Sequence, residues 1–428
     1  MSIKGPVLMY GAGREARSTL AFLKETAPNE QVDVVVDTGQ ADLPGTQQVP
    51  TESLAAAIRD KKYRLIVRSA GVSIYKSDLV AARAAGIEIT TNINLWAAYK
   101  RNDAITIAIT GTKGKSTTAK LIFTTLKQAG LDAGLGGNIG VPPLDLPPCT
   151  HAVLELSSFQ TADMDFNLDF IGITSLFPEH LDWHGTEENY FSDKLNILRR
   201  KRPYCCALNP QVVERSCLPQ PPNGLVRALA DLSPDFQSRL LKQVAASRLK
   251  GDHNAQNAIL AARLCLGVGV SEENILEGIA AFEPLPHRLQ EVQLGGKTFV
   301  NDSIATNPEA TKAAVAAYPE GKVALILGGY DRAQKYGGLV ANLKNSTLSQ
   351  VWFLPDTGHR ILSEIGTGNT PFTCHKAGSL EHLFEQLATN PDQFETLVLS
   401  PGAPSFNQFR NFERRGETFL ELARKHFT

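Results

Sequence analysis

Between Ile105 and Gln128 the chain reads ITIAITGTKGKSTTAKLIFTTLKQ. An apolar run of strand length enters a glycine-rich turn, and a helical pattern begins at once. This order constrains the fold more than any other feature of the sequence. It places converging backbone N–H groups and a helix N-terminus at one point, which suits a phosphate group. The common loop of this kind is G-x-x-x-x-G-K-[ST]. Here only Thr112 and Lys113 separate Gly111 from Gly114, so the loop is shortened. The working parts remain. Lys115 can reach terminal phosphates and Ser116 can ligate Mg²⁺. Gly111, Thr112, Lys113, Gly114 and Thr117 complete a candidate nucleotide cradle.

Strand and helix patterns alternate along the rest of the chain, which predicts parallel sheets with helices on their faces. Three regions in series are expected. The first, residues 1–92, holds VLMYG, VDVVVD and LIVRSAG as strands, with REARSTLAFLKE and SDLVAARAAG as helices. The second, 93–284, adds AVLELSS and FIGITSLFP to the strand before the loop. In it LPQPPNG (218–224) reads as a loop, and DHNAQNAILAARLCLGVG as a helix capped by Asp252 or Asn254 and ended by Gly267. The proline-bearing FEPLPHR marks a linker. The third region, 285–428, contains KTFVNDS, KVALILGG, QVWFLP and TLVLSPGA.

Composition excludes more than it identifies. The 428 residues carry a formal net charge of −1 with 43 % hydrophobic and 20 % charged residues, ordinary for a globular chain. No Lys/Arg-rich tract points to nucleic acid or an anionic membrane. No run approaches the ~18 apolar residues of a membrane span, and the N-terminus lacks a signal-peptide pattern. Cys149, Cys205, Cys206, Cys217, Cys265 and Cys374 form no CxxC, so reduced thiols and a cytoplasmic location are expected.

Other residues suggest chemistry. GAGREA (11–16) fits G-x-G-x-x-A, and Asp37 stands where a ribose-binding carboxylate would follow, so a nucleotide-like ligand is open beside a plain strand–helix turn. Glu155 closes a strand. His180 and Asp182 follow another, and these oxygen and imidazole groups could complete an Mg²⁺ site begun by Ser116. His180 and His184 have i, i+4 spacing, but without a matched third ligand zinc is disfavoured. Lys194, on a helical pattern, reads by itself as a solvated charge.

The segments TGTKGKST, GNIG (137–140), LELSSFQ (154–160), EHLDWHG (179–185), DKLNIL (193–198), GDHNAQN (251–257), LPHR (285–288), NDSIATN (301–307) and SPGAPSFNQFRNFERRG (400–416) together resemble the Mur ligases. Within them they look like the ligases that add glutamate to UDP-N-acetylmuramoyl-L-alanine. The resemblance implies a Rossmann-like first domain for the UDP end, a central P-loop ATPase domain, and a Rossmann-like third domain for the amino acid. It implies ATP, two Mg²⁺ ions and a CO₂-derived carbamate on Lys194. Lys115, His180 and Lys194 would be catalytic, with Ser116, Glu155, His180 and Lys194 around the metals. Gly11, Gly13, Arg14, Asp37, Ser69, Gly71 and Asn138 would meet the UDP substrate. Asn254 and Asn257 would lie near adenine, and Arg288 and Asp302 would reach the ATP phosphates and ribose when the third domain closes. Thr306, Arg332, Ser405 and Phe412 would form the glutamate pocket.

One departure is informative. Ligases that add D-glutamate usually carry a lysine after Asn-Asp-Ser, and here the residue is Ile304. A hydrogen bond to a charged group is worth about 1.5–3 kcal/mol, enough to change how a ligand sits. With LFPEHLDWHG, GGYDRAQKY and SPGAPSF, this resembles a subfamily that adds L-glutamate, whose product a separate epimerase inverts. A D-glutamate enzyme with Arg332 in compensation is the alternative. A folylpolyglutamate synthetase-like ligase fits the N-terminal glycine loop less well. A non-catalytic nucleotide module would have no use for Arg288, Asp302 and Thr306.

Overall fold

The computed structural model describes residues 3–199, 204–209, 212, 226–249, 251–366 and 370–428. Two compact units divide it, Met1–Phe282 and Glu283–Thr428. The stretch read as a loop at 218–224, and Cys217, lie outside the described residues.

Two parallel sheets share the first unit. One has the order β3-β2-β1-β4-β5, from β1 (Val7–Tyr10), β2 (Val32–Val35), β3 (Gln47–Gln48), β4 (Leu65–Arg68) and β5 (Glu88–Thr91). The other has the order β11-β10-β9-β6-β8-β7, from β6 (Ile105–Thr110), β7 (Ala133–Gly137), β8 (His151–Glu155), β9 (Phe170–Ile173), β10 (Tyr204–Leu208) and β11 (Val226–Ala228). The chain changes sheet after residue 91, but the core does not break there. Val7, Met9, Leu20 and Trp96 pack in one apolar cluster with Ala108, Leu154 and Ile171. Arg68 joins the two regions inside that unit. Fully buried, it donates to Asp163 at 2.6 and 2.9 Å and to the carbonyls of Ser69, Ala70, Val72 and Phe159.

The candidate phosphate loop lies where β6 becomes the helix Lys115–Gln128. β6 is central, between β8 and β9, and is buried along Thr106–Thr110. The long helix Asp252–Val268 packs against the loop's helix, as does Glu272–Ala280. The former differs from the sequence reading at both ends. Gly251 precedes it without a side-chain cap, and Gly269, at φ 100°, ends it. Gly267 lies inside the helix because a Cβ there would come within 2.7 Å of Leu229 and 3.1 Å of Phe170.

The second unit has the order β12-β13-β17-β14-β15-β16, from β12 (Gln290–Leu294), β13 (Lys297–Asn301), β14 (Val323–Leu327), β15 (Gln350–Phe353), β16 (Thr373–Lys376) and β17 (Thr396–Leu399). Only β12 runs antiparallel, paired with β13 through the turn at Gly295–Gly296. Apolar clusters cover both faces. No helix among the described residues is long and apolar enough to cross a membrane.

Candidate active site

Backbone geometry explains the glycines of the loop. Gly111 and Gly114 sit at φ 140° and 88°, where side chains are strained. A Cβ on Gly111 would lie 2.1 Å from Thr174 Oγ1, and one on Gly114 would lie 2.4 Å from Asn257 Oδ1. Thr112 is buried and pins the loop: its Oγ1 donates to the Phe177 carbonyl at 2.9 Å and lies 2.8 Å from Tyr190 Oη. Its side chain therefore supports the cradle from behind. Lys113 is exposed and paired with Glu179. Lys115 Nζ donates to the Thr112 carbonyl at 3.0 Å. Ser116 is buried and Thr117 half-buried on the helix's first turn, whose N–H groups have no acceptor within the helix. Asn257 also donates to Asn254 Oδ1 at 3.1 Å, so both asparagines stand against the loop.

The acidic, imidazole and amine groups come from separate segments of the same unit. Glu155, at the end of β8, is fully buried. Its Oε1 accepts from Asn138 Nδ2 at 3.0 Å, while Oε2 has no hydrogen-bond partner. A buried carboxylate oxygen left this way is costly unless a cation takes it, and oxygen is the donor Mg²⁺ prefers. The residues thus fit the metal that the sequence suggested. His180 is half-exposed in a left-handed turn at φ 57°, with its ring 5.0 Å from Phe159. Partial burial lowers its proton affinity; Lys194 and Lys115 add to this, and Glu179 and Asp182 oppose it. The neutral ring keeps a lone pair for a metal.

Lys194 is no solvated charge. It is 2 % exposed, its amine donates to the Gly111 carbonyl at 2.8 Å, and it lies 4.9 Å from the centre of the Tyr190 ring. Burial first, and then the charge of Lys115, pull its proton affinity well below that of an ordinary lysine. Zinc ligation by the His180/His184 pair does not fit. His184 is fully buried, with its nitrogens at 2.7 Å from Asp193 and 2.9 Å from Ser158. Among the described residues no three His, Cys, Asp or Glu side chains form a metal cage.

The candidate UDP residues of the first sheet follow the carboxyl ends of β1, β2 and β4. Gly11, at φ 100°, lies against Ser69, and a Cβ on it would stand 2.8 Å from that side chain. Gly13 and Gly71 face open space. Arg14 reaches the carbonyls of Asn138 at 3.0 Å and Gly140 at 3.2 Å, which brings Asn138 to the same edge. Asp37 is engaged by Lys76 at 2.6 Å and by Tyr10 Oη at 3.0 Å, and Lys76 holds its carboxyl below the usual range. Sequence reading missed Lys76, which stands in no motif.

In the second unit Thr306, Arg332, Ser405 and Phe412 line one cleft of about 360 Å³, together with Pro404, Phe406, Asn411 and Glu413. Arg332 stacks over Phe406 at 5.8 Å. Buried Arg415 fixes the wall: it donates to Ser303 Oγ and carbonyl at 2.9 and 2.8 Å and to the Ala403 carbonyl at 3.0 Å. Ile304 is half-buried beside it in sequence. Asp302 is not among the cleft residues. Its carboxylate accepts from Ser400 Oγ at 2.8 Å and from the Leu289 N–H at 3.2 Å. Burial pushes its pKa up to about 6, against the charges of Arg288 and Arg415. Asn411, Glu413 and Arg415 stand inside SPGAPSFNQFRNFERRG, so the signal for them was the motif itself.

Comparison with known proteins gives the family. Residues 109–211 match the Mur ligase middle domain, and 287–402 match the Mur ligase glutamate ligase domain. A UDP-N-acetylmuramoyl-L-alanine–L-glutamate ligase of Xanthomonas axonopodis pv. citri is 33 % identical, covering 97 % of this chain and 94 % of the relative. One of the same name from Salinispora tropica is 34 % identical, with 98 % and 97 % covered. Among solved structures, the UDP-N-acetylmuramate–alanine ligase of Thermotoga maritima superposes with a TM-score of 0.59 at 15 % identity, covering 99 % of this chain and 100 % of that one. By the extent of these matches, the chain belongs to the Mur ligase family.

Proposed function

We propose that the protein is an ATP-dependent ligase that joins L-glutamate to UDP-N-acetylmuramoyl-L-alanine in peptidoglycan precursor synthesis. The observation that carries this reading is the near-full-length match to relatives bearing that name. The geometry supports it. A phosphate loop, an unpaired buried carboxylate oxygen and a buried amine meet in one unit, and a glutamate-sized cleft with an arginine on its wall lies in the other.

A carboxylate is a poor electrophile, so the alanyl carboxylate must be activated. One of its oxygens attacks the γ-phosphorus of ATP; ADP leaves and an acyl phosphate forms. The glutamate amine, in its free-base form, then adds to the acyl carbon. The C–O bond breaks with its electron pair going to phosphate, and the amine proton is released. Such transfers depend on positioning and charge neutralisation. The first-turn N–H groups and Lys115 would orient the ATP phosphates. Ser116 and Glu155 would hold one Mg²⁺, and His180 with Lys194 a second, which neutralise charge gathering on the transferred phosphoryl group. Buried and poor in proton affinity, the Lys194 amine is suited to add to CO₂ and lose a proton, giving a carbamate oxygen donor. Gly11, Gly13, Arg14, Asp37, Ser69, Gly71 and Asn138 would meet the UDP substrate. Asn254 and Asn257 would meet adenine, Arg288 and Asp302 the phosphates and ribose, and Thr306, Arg332, Ser405 and Phe412 the glutamate.

Ile304 in place of a lysine supports the L isomer, since one charge contact of the D-glutamate ligases is absent. The product would then pass to an epimerase, and the reaction would run in the cytoplasm, where ATP and the UDP-sugar are found. The test is ADP release by purified protein with ATP, Mg²⁺, UDP-N-acetylmuramoyl-L-alanine and each glutamate enantiomer separately. Turnover with the L isomer, at least about tenfold above the D isomer, is expected for the loss or gain of one charged hydrogen bond. Preference for D-glutamate would overturn the choice of isomer.

A further inference from the structure

Four polar side chains form a continuous chain beside the candidate metal-binding residues. Tyr75 Oη donates to both carboxylate oxygens of Asp193, at 3.0 and 3.1 Å. His184 Nδ1 lies 2.7 Å from Asp193 Oδ2, and His184 Nε2 lies 2.9 Å from Ser158 Oγ. Asp193, His184 and Ser158 are 5 %, 0 % and 2 % exposed. One ring nitrogen of His184 thus faces the carboxylate and the other the Ser158 hydroxyl. Every donor has an acceptor, and a satisfied buried network rigidifies the segments it joins.

The members stand beside residues already assigned to chemistry. Ser158 follows Glu155 on the same segment, His184 lies one helical turn after His180, and Asp193 directly precedes Lys194. Tyr75 comes from the loop after β4 that includes Ser69 and Gly71. That loop is tied to the same segment twice more: Trp183 Nε1 donates to the Gly71 carbonyl at 3.1 Å, and Ser73 Oγ donates to the Trp183 carbonyl at 2.6 Å.

The Ser–His–Asp order is that of an acyl-transfer triad. Burial argues against that chemistry, because no substrate carbonyl reaches Ser158 Oγ. We propose that Tyr75, Asp193, His184 and Ser158 are positioning residues that set Glu155, His180 and Lys194 against the phosphate loop, with Tyr75 building the loop at Ser69–Gly71 into the same frame. This rests on the Mg²⁺–nucleotide reading of the site, and not on the identity of the acid or amino acid.

Tyr75→Phe tests it. The hydroxyl is lost, while the ring, 42 % exposed and edge-on to Trp183 at 6.3 Å, is kept, so the fold should hold. The readouts are melting temperature, ADP affinity without metal, and the gain in ADP affinity on adding Mg²⁺. Melting lowered by no more than a few degrees, as for the loss of a hydrogen bond to a charged group, and metal-free affinity within about twofold are expected. The Mg²⁺-dependent gain should fall about three- to tenfold, and kcat about tenfold with little change in KM for ATP, because small misplacements near reacting groups are costly. Ser158→Ala should keep at least about 1 % of parent kcat; loss beyond about a thousandfold would mark a nucleophile and overturn the positioning role. An unchanged Mg²⁺-dependent gain in Tyr75→Phe would also overturn it, as would a parent protein whose ADP binding ignores Mg²⁺. If the parent binds Mg²⁺–ADP but does not turn over with the muramoyl substrate, the proposed substrate fails and the binding result still decides this inference.

Discussion

The Lys194 amine, 2 % exposed and bonded to the Gly111 carbonyl, is the group on which the proposed carbamate rests. Lys194→Ala should therefore lose more than about a hundredfold in ADP release, the scale of losing a positioned group at a phosphoryl-transfer centre. Millimolar acetate or formate should restore part of the rate by replacing the carbamate oxygens; full activity without them would sink the assignment. Asp302 gives a pH signature. Its pKa is about 6 in the fold and 3.8 ordinarily, so between these values the folded chain binds more protons than the unfolded one. Stability contributed by this group falls as pH rises through that window, and the full penalty stands above it. Asp302→Asn should raise the melting temperature at pH 8, by on the order of 2–3 kcal/mol of stability, and lose that advantage near pH 4. An equal shift at both pH values would refute this. Single residues were unevenly legible. Thr306, Arg332, Ser405 and Phe412 are about a hundred residues apart at the extremes, and only motif resemblance brought them together before the fold did. Tyr75 and Lys76 carry no local pattern, because a hydrogen bond between distant segments leaves no periodicity.

At the level of elements, buried strands were readable and edge strands were not. β6, β8, β14 and β17 are mostly apolar and buried, as parallel strands covered on both faces are. β3, β5, β12 and β16 read QQ, EITT, QEVQL and TCHK, too polar and too short for periodicity to separate them from loops. The same blindness hid the antiparallel β12. One helix crossing offers a sharp test. A Cβ on Gly278 would lie 2.4 Å from Thr125 Oγ1 and 2.7 Å from Thr125 Cα, on the helix that follows the phosphate loop. Gly278→Ala should cost about 1–3 kcal/mol by overpacking, seen as a lower denaturation midpoint. An unchanged midpoint would mean the two helices separate freely.

Across the whole molecule, three α/β regions were expected, and among the described residues there are three sheets, the first two sharing a core. Arg68→Ala would remove the donor that Asp163 and four carbonyls share, and breaking such a buried pair costs about 3–5 kcal/mol. A clear fall in melting temperature is expected, and a loss under about 1 kcal/mol would contradict the role given to Arg68.

That guanidinium also bears on how such chains can be recombined. A crossover near residue 92 would separate Arg68 from the acid and the carbonyl it holds in the next stretch, so a transplanted first region would arrive with an unmatched cation. Residues 282 and 283, by contrast, fall at the boundary of the two compact units. Working chimaeras should therefore inherit the first 282 residues from a single parent, and exchange of amino-acid preference should be the easier route to new ligases.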